Sequence, residues 1–307
     1  MKKNRIYIAG QEGMVGRAIY KLLSKKKYFI IDCPRKELDL TNQSAVKKWF
    51  KYNQPNYVIN AAGKVGGVLD NSLYKTEYLY NNILIGFNLL KSSLDLNVDK
   101  FINLGSACIY PKTTKQPIKE EYLLSSYLEK TNEGYALSKI ATLKYTQYIK
   151  EFYKKDFISL MPANLYGEGD NFDLNASHVI PALVRKFHEG KIYNKKIVEI
   201  WGTGKAKREF LHVSDLANAV YFCLKKKISE NYLNIGSTDY LSIKELALII
   251  KNITNFRGKV IFNKKYPEGV VRRKLDNSLI NNYGWRSKVI LSIGLKKYYQ
   301  YFQTLNN

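Results

Sequence analysis

The glycine spacing near the N-terminus constrains this chain more than any other feature. An apolar run, Arg5–Ala9, leads into Gly10-Gln11-Glu12-Gly13-Met14-Val15-Gly16, and an amphipathic stretch continues through Leu23. Strand, glycine turn and helix in that order let the backbone turn tightly. An anionic group can then rest on the helix N-terminus.

The alternation repeats. Residues 29–33 read as a strand, and Thr41 is a good N-cap for a helix to about residue 52. Residues 57–60 read as a strand ending in Ala61-Ala62-Gly63, followed by one long helical pattern over about 73–96. Residues 101–105 form a fourth strand pattern, with Ser106 just past its end; a helix carrying Tyr135 runs to about 153, and 157–161 is a fifth strand. Such alternation predicts an α/β fold, a doubly wound parallel-sheet Rossmann domain with helices on both faces. Ligands in such sheets bind beyond the carboxyl ends of the strands, where Gly10, Gly63, Ser106 and Ala163 all fall.

After Pro162 the texture changes to glycine-containing loops, short strands and helical patterns, which predicts a smaller α+β substrate lobe over the cleft. The expected division is 1–165 plus about 209–229 for the dinucleotide-binding domain, and about 166–208 plus 230–307 for the second lobe. With 307 residues, 45% of them hydrophobic, the chain can bury a large core. No apolar stretch approaches the ~20 residues of a membrane span, and the N-terminus lacks a signal-peptide layout. Cys33, Cys108 and Cys223 are odd in number and widely spaced, so they suit neither a disulfide framework nor a metal site, and the expected compartment is the cytoplasm. The net charge of +24 comes from scattered lysines. Lys25 to Lys27 and Lys225 to Lys227 follow helical patterns, where cations suit the helix dipole. A basic cleft for a diphosphate substrate explains the excess better than nucleic acid does.

Tyr135 and Lys139 stand four apart and share one face of a helix. A free tyrosine has a pKa of about 10, and an ammonium beside it is expected to lower that value. With Ser106, the pair reads as an acid/base group for ketone–alcohol chemistry beside a nicotinamide. The coenzyme signals are mixed. Asp32, with Glu12 in the glycine turn, suits the ribose hydroxyls of NAD(H), whereas Arg35 and Lys36 suit the extra phosphate of NADP(H).

Several motifs occur in one order: the glycine turn, Lys64-Val65-Gly66-Gly67, Gly105-Ser106-Ala107-Cys108-Ile109-Tyr110-Pro111-Lys112, Tyr135-x-x-x-Lys139, Asn164-Leu165-Tyr166-Gly167, Asp170-Asn171-Phe172, Ser177-His178-Val179-Ile180-Pro181-Ala182-Leu183, and Trp201-Gly202-x-Gly204 before Arg208-Glu209-Phe210-Leu211-His212-Val213. Through them the chain resembles the GDP-L-fucose synthases of the extended short-chain dehydrogenase/reductase family, from residue 5 to about 300. The resemblance implies NADPH-dependent reduction of the C4 ketone of a GDP-4-keto-6-deoxy sugar, after epimerisation at C3 and C5, in a homodimer. It gives Tyr135 as proton donor, Lys139 as its partner, Ser106 as a hydrogen-bond donor to the ketone, and Cys108 with His178 as the epimerisation pair. It places the cofactor on Gly10, Gly13, Met14, Val15, Gly16, Arg35, Ala61, Ala62, Tyr135, Lys139 and His178. Lys186, Trp201, Arg208 and Arg273 would contact the nucleotide diphosphate and base.

Ser106 and Cys108, two apart, are expected to point the same way from an extended segment. The chain departs from the family pattern at Ala107, at Gly134 (which is expected to loosen entry into the Tyr135 helix), at Glu12, and in the loop 173–177. These departures leave open a C4 reductase acting on a GDP-4-keto-6-deoxy-heptose after a separate epimerase. A non-catalytic dinucleotide sensor is the alternative from another class. Each residue also has a plainer role: Tyr135 and Lys139 as a surface pair, Cys108 as a small packed thiol, His178 as a helix start, Trp201 as core. Cys33, Cys223, His188 and His212 are expected to be structural.

Overall fold

The computed structural model describes residues 4–174, 177–266 and 270–305. The chain runs β1 (Arg5–Ala9), α1 (Met14–Leu23), β2 (Phe29–Ile31), α2 (Gln43–Asn53), β3 (Tyr57–Asn60), α3 (Val68–Leu73), α4 (Lys75–Asp95), β4 (Lys100–Leu104), α5 (Glu133–Tyr153) and β5 (Asp156–Pro162). It continues through β6 (Asn164–Tyr166), α6 (Val179–Ile192), β7 (Ile197–Trp201), β8 (Lys207–His212), α7 (Val213–Lys225), β9 (Tyr232–Ile235), β10 (Tyr240–Ser242), α8 (Ile243–Thr254), β11 (Lys259–Asn263), β12 (Arg272–Arg273), α9 (Ser278–Asn282) and α10 (Leu291–Thr304).

Six parallel strands form the large sheet in the order β2-β1-β3-β4-β5-β9. The direction of winding reverses between β1 and β3, which opens a crevice at their carboxyl ends. Side chains alternate across β1. Ile6 and Ile8 pack with Ile19 of α1 and Val220 of α7, while Tyr7 and Ala9 pack with Phe50 of α2 and Leu89 of α4. Each fully buried side chain of this kind contributes roughly 1.5–3 kcal/mol. A buried amide ladder pins the strand ends near the crevice: Asn60 Nδ2 donates to Asn103 Oδ1 and Asn103 Nδ2 to Ser159 Oγ, each at 3.1 Å.

The smaller lobe holds β8 between β10 and β12, with β6 also on β8, and a separate β7–β11 pair. Its core joins Phe187, Val198, Phe210, Leu246, Ile250, Tyr298 and Phe302. The lobe boundary differs from expectation. Tyr232–Ile235 pair with β5 and so belong to the large sheet, and β8 belongs to the smaller lobe's sheet.

One other expectation changes. Thr41 does not cap α2. Its hydroxyl and amide donate to Asp39 Oδ1, and Asn42 instead accepts from Ala45 N at 3.0 Å. The long helix expected over about 73–96 is α4, and the short helix α3 precedes it, the two divided at Tyr74, whose φ of −117° and ψ of 43° leave the helical region. Asn175 and Ala176, in the loop before His178, lie outside the described residues. Among the described residues, no helix is long and apolar enough to cross a membrane, and no group of His, Cys, Asp or Glu could hold a metal ion.

Candidate active site

The glycine turn is built by contact. Gly10 has φ +81°, and a β-carbon on it would lie 2.8 Å from the Ala61 carbonyl oxygen and from Ala62. A β-carbon on Gly16 would lie 2.0 Å from the Gly10 carbonyl oxygen. Gly13 is different, because a side chain there would meet nothing closer than 3.5 Å. It is exposed and opens α1 with no capping side chain and no acid in the first turn, with Met14 and Val15 half-buried behind it. The positive end of the helix dipole is thus left to an outside anion. These residues fit the pyrophosphate of a dinucleotide.

At the adenosine end, acids meet the loop after β2. Glu12 Oε2 accepts from the Arg35 backbone N–H at 2.7 Å, and Gln11 Nε2 donates to Asp32 Oδ1. The Arg35 side chain is exposed beside Asp39.

Tyr135 lies in the first turn of α5, and its phenol faces Ser106, just beyond β4. Lys139 is buried one turn on, with Nζ 3.0 Å from the Leu104 carbonyl oxygen and 5.7 Å from the centre of the Tyr135 ring. Burial pushes the Tyr135 phenol above its ordinary range and the nearby Cys108 adds to this, while the neighbouring Ser106 hydroxyl pulls it down. Burial pulls Lys139 down to about 8. The expected acidification of Tyr135 by Lys139 is therefore not seen in the chain alone. The ammonium is spent on a carbonyl, and desolvation outweighs its charge.

Cys108 does not sit on an extended segment either. Residues Ala107–Ile109 form a 3-10 turn, capped by Ser106 Oγ, which accepts from Cys108 N at 3.2 Å. Cys108 is half-buried, whereas Cys33 and Cys223 are core residues. Gly134 does not loosen α5. A β-carbon there would lie 2.5 Å from the Lys75 carbonyl oxygen, so the glycine lets the start of α4 press against α5.

His178 opens α6, makes no side-chain cap bond, and stays solvent-accessible although protein atoms crowd its ring. Desolvation lowers its pKa, so it is neutral near pH 7. Among the described residues it makes no hydrogen bond to Ser106, Cys108 or Tyr135. His212 caps α7 through Ser214 N, and His188 bonds Tyr299.

In the smaller lobe, Trp201 stacks face to face on Tyr266 at 4.5 Å and 7°. Lys186 Nζ lies 5.4 Å from the centre of the Trp201 ring and donates to Glu199 O at 3.1 Å. Trp201 is thus a partly exposed platform rather than core. Arg208 and Arg273 are register partners on β8 and β12. Arg208 is half-buried, but Arg273 is buried, with its guanidinium turned onto the Ala107 carbonyl oxygen at 2.7 Å rather than out toward a nucleotide.

Sequence reasoning missed the second side of the Tyr135 pocket. Tyr78, fully buried, meets Tyr135 edge-on at 6.1 Å and hydrogen-bonds Asp70, and Lys64 Nζ lies 5.2 Å from the Tyr78 ring centre. Asn82 grips the Lys64 backbone from both sides, accepting from its N–H at 2.7 Å and donating to its carbonyl at 3.0 Å. A polar Asn82 on the buried face of an amphipathic helix was the available signal. Tyr266 had none, because its partner Trp201 is far away in sequence.

Residues 6–236, which contain the dinucleotide turn, Ser106, Tyr135 and Lys139, match a family model described as the NAD dependent epimerase/dehydratase family. The chain belongs to that family. Within it, a GDP-L-fucose synthase of Sinorhizobium fredii is 44% identical over 298 residues, 97% of this chain and 95% of that protein. A solved GDP-6-OMe-4-keto-L-xylo-heptose reductase of Campylobacter jejuni has TM-score 0.92 at 37% identity, covering 100% of this chain and 99% of its own. A GDP-L-fucose synthetase of Naegleria fowleri bound to NADP has TM-score 0.90 at 27% identity, covering 100% and 94%. Family and fold agree with the sequence reading.

Proposed function

We propose that this chain reduces the C4 ketone of a GDP-4-keto-6-deoxy sugar and epimerises C3 and C5, in the manner of a GDP-L-fucose synthase. The observation that carries this reading is the Tyr135 phenol facing Ser106 beyond the end of β4, with Lys139 anchored behind it and Cys108 in the next turn. The glycine turn, Ala61 and Ala62 would hold NADPH, which would supply the hydride when bound. Ser106 hydrogen-bonds the C4 oxygen, and Tyr135 gives that oxygen a proton. Protons at C3 and C5, alpha to the ketone, are acidic, and the same two donors stabilise the enolate oxygen. Cys108 and the neutral His178 remove and return those protons. Lys186, Trp201 and Arg208 receive the nucleotide, with the Trp201–Tyr266 stack offering a face to the base. The reaction belongs in the cytoplasm, where three unpaired thiols persist.

A homodimer is part of this reading. Tyr80 and Phe87 of α4, and Leu137, Tyr148 and Phe152 of α5, are exposed at helical spacing on the paired helices. A second copy would cover them.

The likeness to the heptose reductase favours one alternative, C4 reduction alone on a GDP-4-keto heptose. The deciding experiment gives the protein GDP-4-keto-6-deoxy-mannose or the heptose analogue, with NADPH or NADH, in deuterium oxide. The main reading predicts coenzyme oxidation and deuterium at both C3 and C5. Reduction without deuterium selects the alternative. No reduction of any GDP-4-keto sugar defeats both and leaves a dinucleotide sensor.

A further inference from the structure

We propose that Arg273 is the positioning residue that fixes Cys108 against the sugar, a role that rests on the epimerase reading above. Only 7% of Arg273 is exposed, and one of its terminal nitrogens donates to the Ala107 carbonyl oxygen at 2.7 Å. The other terminal nitrogen is also buried and has no hydrogen-bond partner among the described residues. A buried donor without a partner is costly. Apolar packing would avoid that cost, so the guanidinium is held there for what it grips.

What it grips is the peptide between Ser106 and Cys108. The two side chains are anchored differently. Ser106 follows directly on β4, where Gly105 N bonds Leu160 O at 2.9 Å, so the sheet places it. Cys108 sits two residues further, in a single 3-10 turn that lies outside the sheet ladder. The turn is held by the Ser106 cap, by the Ile109 and Tyr110 amides bonding back to Ser106 O and Ala107 O at 3.3 Å each, and by Arg273. The shortest of these bonds, and the only charged one, is the Arg273 bond.

Arg273 is itself firmly based. Its strand pairs with β8, the next residue's carbonyl accepts from Ile118 N at 2.7 Å, and Leu275 N donates to the buried Glu209 carboxylate at 2.8 Å. The smaller lobe thereby reaches across the cleft and holds the thiol-bearing turn, while the reductive pair stays on the large sheet.

The test compares wild type, Arg273→Met and Arg273→Lys in deuterium oxide, reading deuterium wash-in at C3 and C5 beside reduction of a substrate whose two centres are already inverted. The ratio of wash-in to reduction is expected to fall at least fivefold in Arg273→Met and to recover by half or more in Arg273→Lys, which keeps one charged donor. A proportional loss of both activities overturns the inference, because a merely structural arginine would lower them together. Iodoacetamide labelling of Cys108, read by peptide mass, is run in parallel. It is expected to be at least threefold faster in Arg273→Met than in wild type, with buried Cys33 and Cys223 unlabelled as the folding control. Equal Cys108 rates in all three proteins overturn the inference whatever the sugar assay gives. Wild type that reduces without wash-in defeats the epimerase reading instead, and the labelling result then decides the positioning of Cys108 alone.

Discussion

Lys139 holds its ammonium on the Leu104 carbonyl oxygen inside the protein, and burial brings its pKa down to about 8. In the proposed reaction Lys139 acts as the cation, stabilising the phenolate left when Tyr135 gives up its proton. As pH rises through about 8 the cation is lost, so kcat/KM should fall on the alkaline side with a midpoint near 8. A pH–rate profile of the free enzyme checks this, and a flat profile to pH 10 contradicts it. Glu12 gives a second residue-scale expectation. Its carboxylate, bonded to Arg35 N, stands where a 2′-phosphate would approach if the ribose lies over the loop after β2. Replacing it by glutamine keeps an acceptor and removes the charge. Glu12→Gln should improve the preference for NADPH over NADH by roughly tenfold, the equivalent of about 1.4 kcal/mol. Coenzyme titration followed by nicotinamide fluorescence would show it, and an unchanged ratio would clear Glu12 of any part in selection.

At the scale of elements, α4 and α5 approach closely because small residues stand where they meet. A β-carbon on Gly134 would lie 2.5 Å from the Lys75 carbonyl oxygen. Gly134→Ala should therefore cost about 1–3 kcal/mol despite alanine's better helix propensity. Urea unfolding measures it, and a stabilised variant would mean that the start of α4 yields easily. The order of strands and helices in the large domain was legible because each strand is a short apolar run and each helix has a clear period. The residues just past the strand ends, Gly10 and Ser106, were legible for the same reason, since position past a strand implies position in the crevice, and Tyr135 was legible from its four-residue spacing to Lys139. What was not legible depended on tertiary detail. Thr41 and Asn42 are both good caps, and only the Asp39 bonds decide between them. The 3-10 turn at Cys108 and the inward guanidinium of Arg273 follow from contacts with distant strands that no local pattern carries. Tyr232–Ile235 look like any short strand, and their place beside β5 is set by the return of the chain after α7.

In the whole molecule, two lobes meet over one crevice. In the proposed reaction the large domain supplies the glycine turn, Ser106 and Tyr135, and the smaller lobe supplies Lys186, Trp201 and Arg208. Glu209 fastens the smaller lobe's strands, accepting from Ser237 N and Leu275 N, and burial pushes its carboxyl up to about 7. The exposed aromatic stripe on α4 and α5 predicts a further level of order. Phe152, 77% exposed, lies on that stripe, and a carboxylate there would have to be desolvated in a helix-to-helix dimer. Phe152→Glu should convert a dimer to a monomer in sedimentation velocity, while a wild-type monomer would remove the dimer from the account. The central claim concerns the phenol. Tyr135→Phe keeps the ring against Tyr78 and removes only the proton donor. Incubated with GDP-4-keto-6-deoxy-mannose and NADPH in deuterium oxide, Tyr135→Phe should lose C4 reduction by about 10²–10⁴-fold while the recovered keto sugar still gains deuterium at C3 and C5. Reduction at the wild-type rate by Tyr135→Phe would contradict the account outright.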